Sequence, residues 1–231
     1  MDYNESIIIA GGMGSLASLA FYERLLLAFP IAKESDRPRI IIDSYCTLPS
    51  RVRAILYNER KAELLDNITR SIAGLNELVG YKAYTVLCCN TMHYFLPKLQ
   101  ERLPKVRFLN IIDLLAQKLE DKDNLTVLAT EGTIRTGLYP EYFSKYNIGC
   151  TYASDEVMQR KFIEDVKQNH LTTELIAEFR DYLLSFNTPI ILGCTEFPIL
   201  YQKVLASYGD LGISVYDPLE ETISHLQKIL H

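Results

Sequence analysis

Two short stretches carry the residues best suited to chemistry. Cys89-Asn90-Thr91 follows the apolar run Thr85-Val86-Leu87-Cys88, and Cys194-Thr195-Glu196 follows Ile190-Ile191-Leu192-Gly193. Each places a thiol where an apolar strand ends and a helical pattern begins. A cysteine there lies near unpaired backbone N–H groups and the positive end of a helix dipole. That setting is expected to favour thiolate and to draw the thiol pKa down from about 8.5. The polar residues that follow suit a first helical turn, where their side chains cap the helix or orient a ligand. Two thiols across a cleft, one taking a proton as thiolate and one giving a proton as thiol, can invert a carbon centre without a cofactor. They must stand on opposite faces of that carbon.

The neighbouring cysteine is of a different kind. Successive side chains of an extended segment point to opposite faces, so Cys88 and Cys89 cannot share one cleft. Aligning the two stretches sets Cys89 on Cys194 and Cys88 on Gly193, which makes Cys88 a packing residue. Cys46 and Cys150 have no partner motif and are read as structural, since a free cysteine is most often a small buried hydrophobe. His93 stands four residues after Cys89, within helical reach of it. The usual zinc spacings are absent, so no metal is expected and His93 either orients Cys89 or packs in the helix. Gly11-Gly12-Met13-Gly14 matches neither the dinucleotide fingerprint nor the phosphate loop. It reads as a tight turn that lets a substrate approach backbone amides.

The elements that must position these groups alternate. Short apolar runs at Ile7–Ala10, Ile40–Asp43, Thr85–Cys88, Val106–Leu109, Leu125–Ala129, Ile190–Gly193 and Ile213–Tyr216 read as strands. Helical periodicity fills Leu16–Phe29, Val52–Leu78, Asp113–Glu120, Asp155–Gln168 and Thr172–Phe186. Near-continuous apolar strands alternating with helices predict an α/β fold with a mostly parallel sheet covered on both faces. The pattern also repeats: Ile7–Ser15 is echoed by Thr126–Ile134, and Thr85–Gln100 by Pro189–Val204. Two pseudo-symmetric lobes follow, each with a mostly parallel sheet flanked by helices. The first would take residues 1–104 with a returning segment 214–231, and the second residues 105–213. Ligands collect beyond the carboxyl ends of such strands, so the two lobes would bring Cys89 and Cys194 to opposite walls of one cleft.

Composition narrows the function classes. The 231 residues are 48% hydrophobic, with 29 acidic and 24 basic side chains and a net charge of −5. No basic cluster resembles a nucleic-acid footprint, and no apolar run approaches the roughly 20 residues of a membrane span. The start, MDYNESIIIAGG, lacks the pattern of a signal peptide. A cytoplasmic protein with reduced thiols is expected.

The stretches AGGMGS, CNTMH, VLATEGTIRTGLY and LGCTEFPIL, in that order and spacing, resemble the aspartate/glutamate racemase family, the cofactor-independent two-cysteine amino-acid racemases. The likeness spans nearly the whole chain. It implies racemisation of a small acidic amino acid, aspartate or glutamate, without pyridoxal phosphate or metal, in a homodimer. It also implies that Cys89 and Cys194 are the acid/base pair. Asn90, Thr91, Thr130, Thr133 and Thr195, with the backbone of Gly12, Met13 and Gly14, would hold the amino and carboxylate groups, with Glu196 beside them. Arg51 and Lys167 would meet carboxylates. The motifs are closer to aspartate-type enzymes than to cell-wall glutamate racemases, which carry a histidine where Glu196 stands. Ser15 replaces a usual proline, and Ser50-Arg51-Val52 replaces Asp-Arg-Thr, departures that bear on specificity. Maleate isomerisation, hydantoin racemisation and a non-catalytic ligand-binding or redox role are the competing readings.

Overall fold

The computed structural model describes residues 5–29, 31–119, 122 and 124–230. Glu120, which ends one expected helix, and the chain ends 1–4 and 231, assigned to the first lobe, lie outside the described residues. Among the described residues, eight strands form two four-stranded sheets. The first joins β1 (Ser6–Gly11), β2 (Ile40–Ser44), β3 (Ala83–Leu87) and β4 (Arg107–Leu109) in the order β2-β1-β3-β4. The second joins β5 (Leu125–Ala129), β6 (Cys150–Tyr152), β7 (Ile190–Gly193) and β8 (Val215–Tyr216) in the order β6-β5-β7-β8. Every pairing is parallel, so the α/β fold and the pseudo-repeat expected from the sequence are both present.

The connecting helices are α1 (Ser15–Ala28), α2 (Arg51–Leu56), α3 (Lys61–Leu78), α4 (Leu96–Arg102), α5 (Ile111–Lys118) and α6 (Glu131–Arg135). They continue with α7 (Leu138–Phe143), α8 (Glu156–Lys167), α9 (Thr173–Leu184), α10 (Phe197–Tyr208) and α11 (Pro218–Leu230). The single helix expected over Val52–Leu78 is broken into α2 and α3. Asn58 and Arg60 between them adopt φ of 55° and 49°, a left-handed conformation that a right-handed helix cannot carry through. Strand β6 and helix α11 were not foreseen.

Strand β4 pairs with β3, so the first sheet runs on to Leu109. Strand β8, placed by the sequence in the returning segment, pairs with β7 in the second sheet. Helix α11 then crosses back to pack on α5 and α1, and Arg24 of α1 meets Asp217 at 2.6 Å.

Strand alternation divides the core into three clusters. Ile7, Ile9, Val86 and Cys88 join Val127, Ile191, Tyr139 and the α5 and α11 residues Leu115 and Ile223 in a central core shared by both sheets. Ala10, Leu87 and Cys89 face α3 and α4 in a second cluster. Leu128, Leu192 and Cys194 face α8, α9 and α10 in a third. Each sheet changes direction of winding between its two middle strands, β1 and β3 or β5 and β7, which is where open α/β sheets present a crevice at their carboxyl ends.

Candidate active site

Cys89 and Cys194 close β3 and β7 in the same way. The Cys89 carbonyl accepts from Met92 N–H at 3.2 Å, and the Cys194 carbonyl accepts from Phe197 N–H at 3.1 Å. Each thiol therefore sits at the head of a tight turn, followed by the 3₁₀ helix Asn90–Phe95 in one lobe and by α10 in the other. The thiols are 7% and 5% exposed and line one pocket of about 60 Å³. Met13, Arg51, Asn90, Thr91, Thr130, Lys167, Thr195 and Glu196 line it too, with Ser50 and Val52, the two residues beside Arg51 that depart from the family pattern. An outer cavity of about 360 Å³ shares Ser50, Val52, Thr130 and Lys167 with it and opens towards solvent.

Three expected site residues do not line the pocket. Thr133 is fully buried and supports the wall from behind: its hydroxyl lies 3.0 Å from that of Thr91 and 3.1 Å from that of Thr130. Thr91 and Thr130 are themselves 2.8 Å apart, which joins the two lobes across the cleft. Gly12 has φ of +76° and its N–H already donates to Ser18 Oγ at 3.1 Å, so that amide is not free for a substrate. Gly14 gives room instead: a Cβ on it would stand 2.3 Å from Glu196 Oε1.

The two cations are held differently. Arg51 donates to the carbonyls of Met13 at 2.8 Å and Pro49 at 3.3 Å, and its Nε is buried without a partner. Lys167 reaches from the end of α8 to within 3.7 Å of Glu196 Oε1. Burial works against its ammonium, but the Glu196 carboxylate and the two thiols outweigh that and raise its pKa.

Cys194 departs from the sequence expectation. Its thiol donates to Glu196 Oε2 at 3.0 Å. Burial and the Glu196 carboxylate push its pKa well above the usual thiol value, with Lys167 opposing them. Desolvation and a carboxylate neighbour thus override the turn dipole, and Cys194 rests as a thiol. Cys88 lies wholly inside the central core, where burial drives its pKa up. It takes no part in the pocket. Cys46, read as structural, is exposed, and contacts with Ser15 and Ser44 hold its pKa down.

His93 is not a base for the thiol. Its Nδ1 lies 3.0 Å from the Cys89 carbonyl, and Ile111 N–H reaches its Nε2 at 3.4 Å. A ring that accepts at Nε2 carries its proton on Nδ1, so the imidazole donates to the Cys89 backbone and ties it to the start of α5. Burial holds its pKa down to about 4.

Tyr139 is the residue the sequence missed. Its hydroxyl donates to Asn90 Oδ1 at 2.8 Å from the opposite lobe. The only signal for it was its place at the end of the VLATEGTIRTGLY stretch. Among the described residues no group of three His, Cys, Asp or Glu could share a metal ion, and no helix is long and apolar enough to cross a membrane.

Comparison with known proteins adds a family context. The sequence model described as Asp/Glu/hydantoin racemase matches residues 10–226. A glutamate racemase of Pediococcus pentosaceus is 28% identical over 185 residues, which cover 75% of this chain and 67% of that protein. An aspartate racemase of Picrophilus torridus superposes with a TM-score of 0.75 at 24% identity, covering 98% of this chain and 94% of that one. A glutamate racemase of Francisella tularensis, solved with D-glutamate, gives 0.65 at 17% identity over 100% of this chain and 82% of that one. At those identities the structural likenesses speak for the fold.

Proposed function

The chain belongs to the Asp/Glu/hydantoin racemase family, and from that premise we propose that it racemises aspartate or glutamate by passing protons between Cys89 and Cys194. The observation that carries this reading is the pairing of equivalent thiols: each follows the third strand of its lobe, and both line one small pocket. In one direction the Cys89 thiolate takes the α-proton, and the electron pair left on the α-carbon spreads into the carboxylate. The Cys194 thiol then delivers its own proton to the opposite face. The enzyme ends with Cys89 protonated and Cys194 as thiolate, which is the form that accepts the other enantiomer. Proton count is conserved, and no cofactor enters the scheme.

Arg51 and Lys167 support an acidic substrate, since two cations on the pocket wall suit two carboxylates. The buried donors Arg51 Nε and Asn90 Nδ2, which have no protein partner, suit hydrogen bonds to such a substrate. A homodimer in the cytoplasm completes the proposal on family likeness, and light scattering with cell fractionation tests it.

The deciding experiment follows deuterium uptake at the α-carbon by mass spectrometry for aspartate and glutamate, beside hydantoins and maleate. Cys89→Ser and Cys194→Ser are each expected to slow racemisation by at least about a hundredfold, the scale of general acid–base catalysis. Unchanged racemisation in both variants, or turnover of a hydantoin or maleate alone, would remove the proposal.

A further inference from the structure

Glu196, expected in the site, puts a carboxylate on the wall of a pocket proposed to take an acidic amino acid. Its side chain is 3% exposed. Oε2 accepts from the Cys194 thiol at 3.0 Å and from the Thr195 hydroxyl at 3.3 Å. Oε1 is buried and has no hydrogen-bond partner; the Lys167 ammonium stands 3.7 Å away, close enough for an ion pair but beyond a hydrogen bond. A buried carboxylate oxygen without a donor is unfavourable until one arrives. Gly14 keeps the space beside it, since a Cβ there would come within 2.3 Å of Oε1.

We propose that Glu196 Oε1 receives the substrate's α-ammonium group and restricts the site to α-amino acids, an assignment that rests on the racemase reading above. The charges of the wall then match those of the substrate. Arg51 and Lys167 face two carboxylates, and Glu196 faces one ammonium. A 2-hydroxy acid of the same shape brings Oε1 no cation of its own and leaves it with the Lys167 ammonium at 3.7 Å alone, a poorer match than an α-ammonium in hydrogen-bond contact. The contact also serves the chemistry. A neighbouring carboxylate keeps the ammonium protonated, and a protonated nitrogen withdraws electrons from the adjacent C–H bond.

The test measures binding of aspartate and glutamate, each against its 2-hydroxy analogue, to the wild type, E196Q and E196D. The wild type is expected to prefer the amino acid at least tenfold. E196Q loses at least tenfold of that preference through weaker amino-acid binding, whereas E196D keeps most of it. An unchanged preference in E196Q, with thermal unfolding intact and α-proton exchange still measurable, overturns the ammonium assignment and leaves the racemase reading standing. Should E196Q fail to fold, Gly14→Ala decides. Crowding of Oε1 is expected to weaken amino-acid binding while sparing the 2-hydroxy analogue, and equal losses for both overturn the assignment. A wild type that exchanges the α-proton of no amino acid overturns both proposals.

Discussion

The Tyr139 hydroxyl donates to Asn90 Oδ1 at 2.8 Å, from the second lobe to the residue that follows Cys89 in the first. Both residues are buried, and burial pushes the phenol pKa well up, so it stays a neutral donor. With Oδ1 committed to Tyr139, the amide orientation is fixed, and Nδ2 is left without a partner on the pocket wall. Tyr139→Phe removes that constraint without opening a cavity. Loss of one buried hydrogen bond should lower stability by about 1 kcal/mol. Activity should fall by a comparable or larger factor through a raised KM, as the amide becomes free to turn. Steady-state kinetics with thermal unfolding measure both, and an unchanged KM would show that Asn90 is oriented by something else.

Cys88 and Cys89 give opposite outcomes when replaced. Cys88 packs in the central core, with a side-chain hydrogen bond to Ser18, and does not line the pocket, so Cys88→Ala is expected to cost about 1–2 kcal/mol of stability and to leave turnover per folded molecule unchanged. Cys89 lines the pocket, so Cys89→Ser is expected to abolish turnover with little change in unfolding temperature. Chemical denaturation and activity on the same preparations separate the two. A Cys88→Ala enzyme that folds normally and fails to turn over would reverse the assignment of the pair.

How much of this was readable in advance depends on the range of the interactions. The strand, turn and cysteine stretches are local, and their duplication was visible because the residues that close β3 and β7 recur in the same order. The alternation argument for Cys88 and Cys89 needed nothing beyond the strand period, and the two cysteines do fall in different core clusters. What was not readable depends on distant partners. Tyr139 meets a residue 49 positions away and Ile111 meets His93 across 18. The state of Cys194 depended on Glu196 folding back on it and on burial, neither of which a helix-start pattern reveals. The break between α2 and α3 rests on left-handed Asn58 and Arg60, residue types that do not demand that conformation. Strand β6 has three residues and is only partly buried, too short for a period to register.

Stability should respond to pH through His93. Its folded pKa lies near 4 against 6.5 for a solvated imidazole, with burial as the main cause. Between these values the unfolded chain binds a proton that the folded chain refuses, so stability rises with pH across that window. Lowering the pH from about 6.5 to about 4 should therefore cost on the order of 3 kcal/mol from this group. His93→Gln should flatten that part of the profile, at the expense of stability near neutrality where the bond to the Cys89 carbonyl is lost. Denaturation midpoints across the window provide the measurement, and an identical slope in the variant would place the effect elsewhere.

The glycine that answers Cys88 in the second lobe has a reason in the same network. A Cβ on Gly193 would stand 2.7 Å from the Leu128 carbonyl oxygen and 3.0 Å from the Tyr139 ring. The Val127 side chain stands 2.9 Å away as well, and the Leu128 carbonyl belongs to backbone held in the β5–β7 pairing, so an added methyl presses on Tyr139 together with its neighbours. The pseudo-symmetry is broken at this point, and the missing side chain leaves room beside the Tyr139 ring that meets Asn90. Gly193→Ala is therefore expected to destabilise the fold by about 1–3 kcal/mol through overpacking and to raise KM in the same manner as Tyr139→Phe. In the double variant the two KM effects should not add, because both act on one hydrogen bond. Fully additive effects in a double-mutant cycle would mean that Gly193 supports the site by a route that does not involve Tyr139.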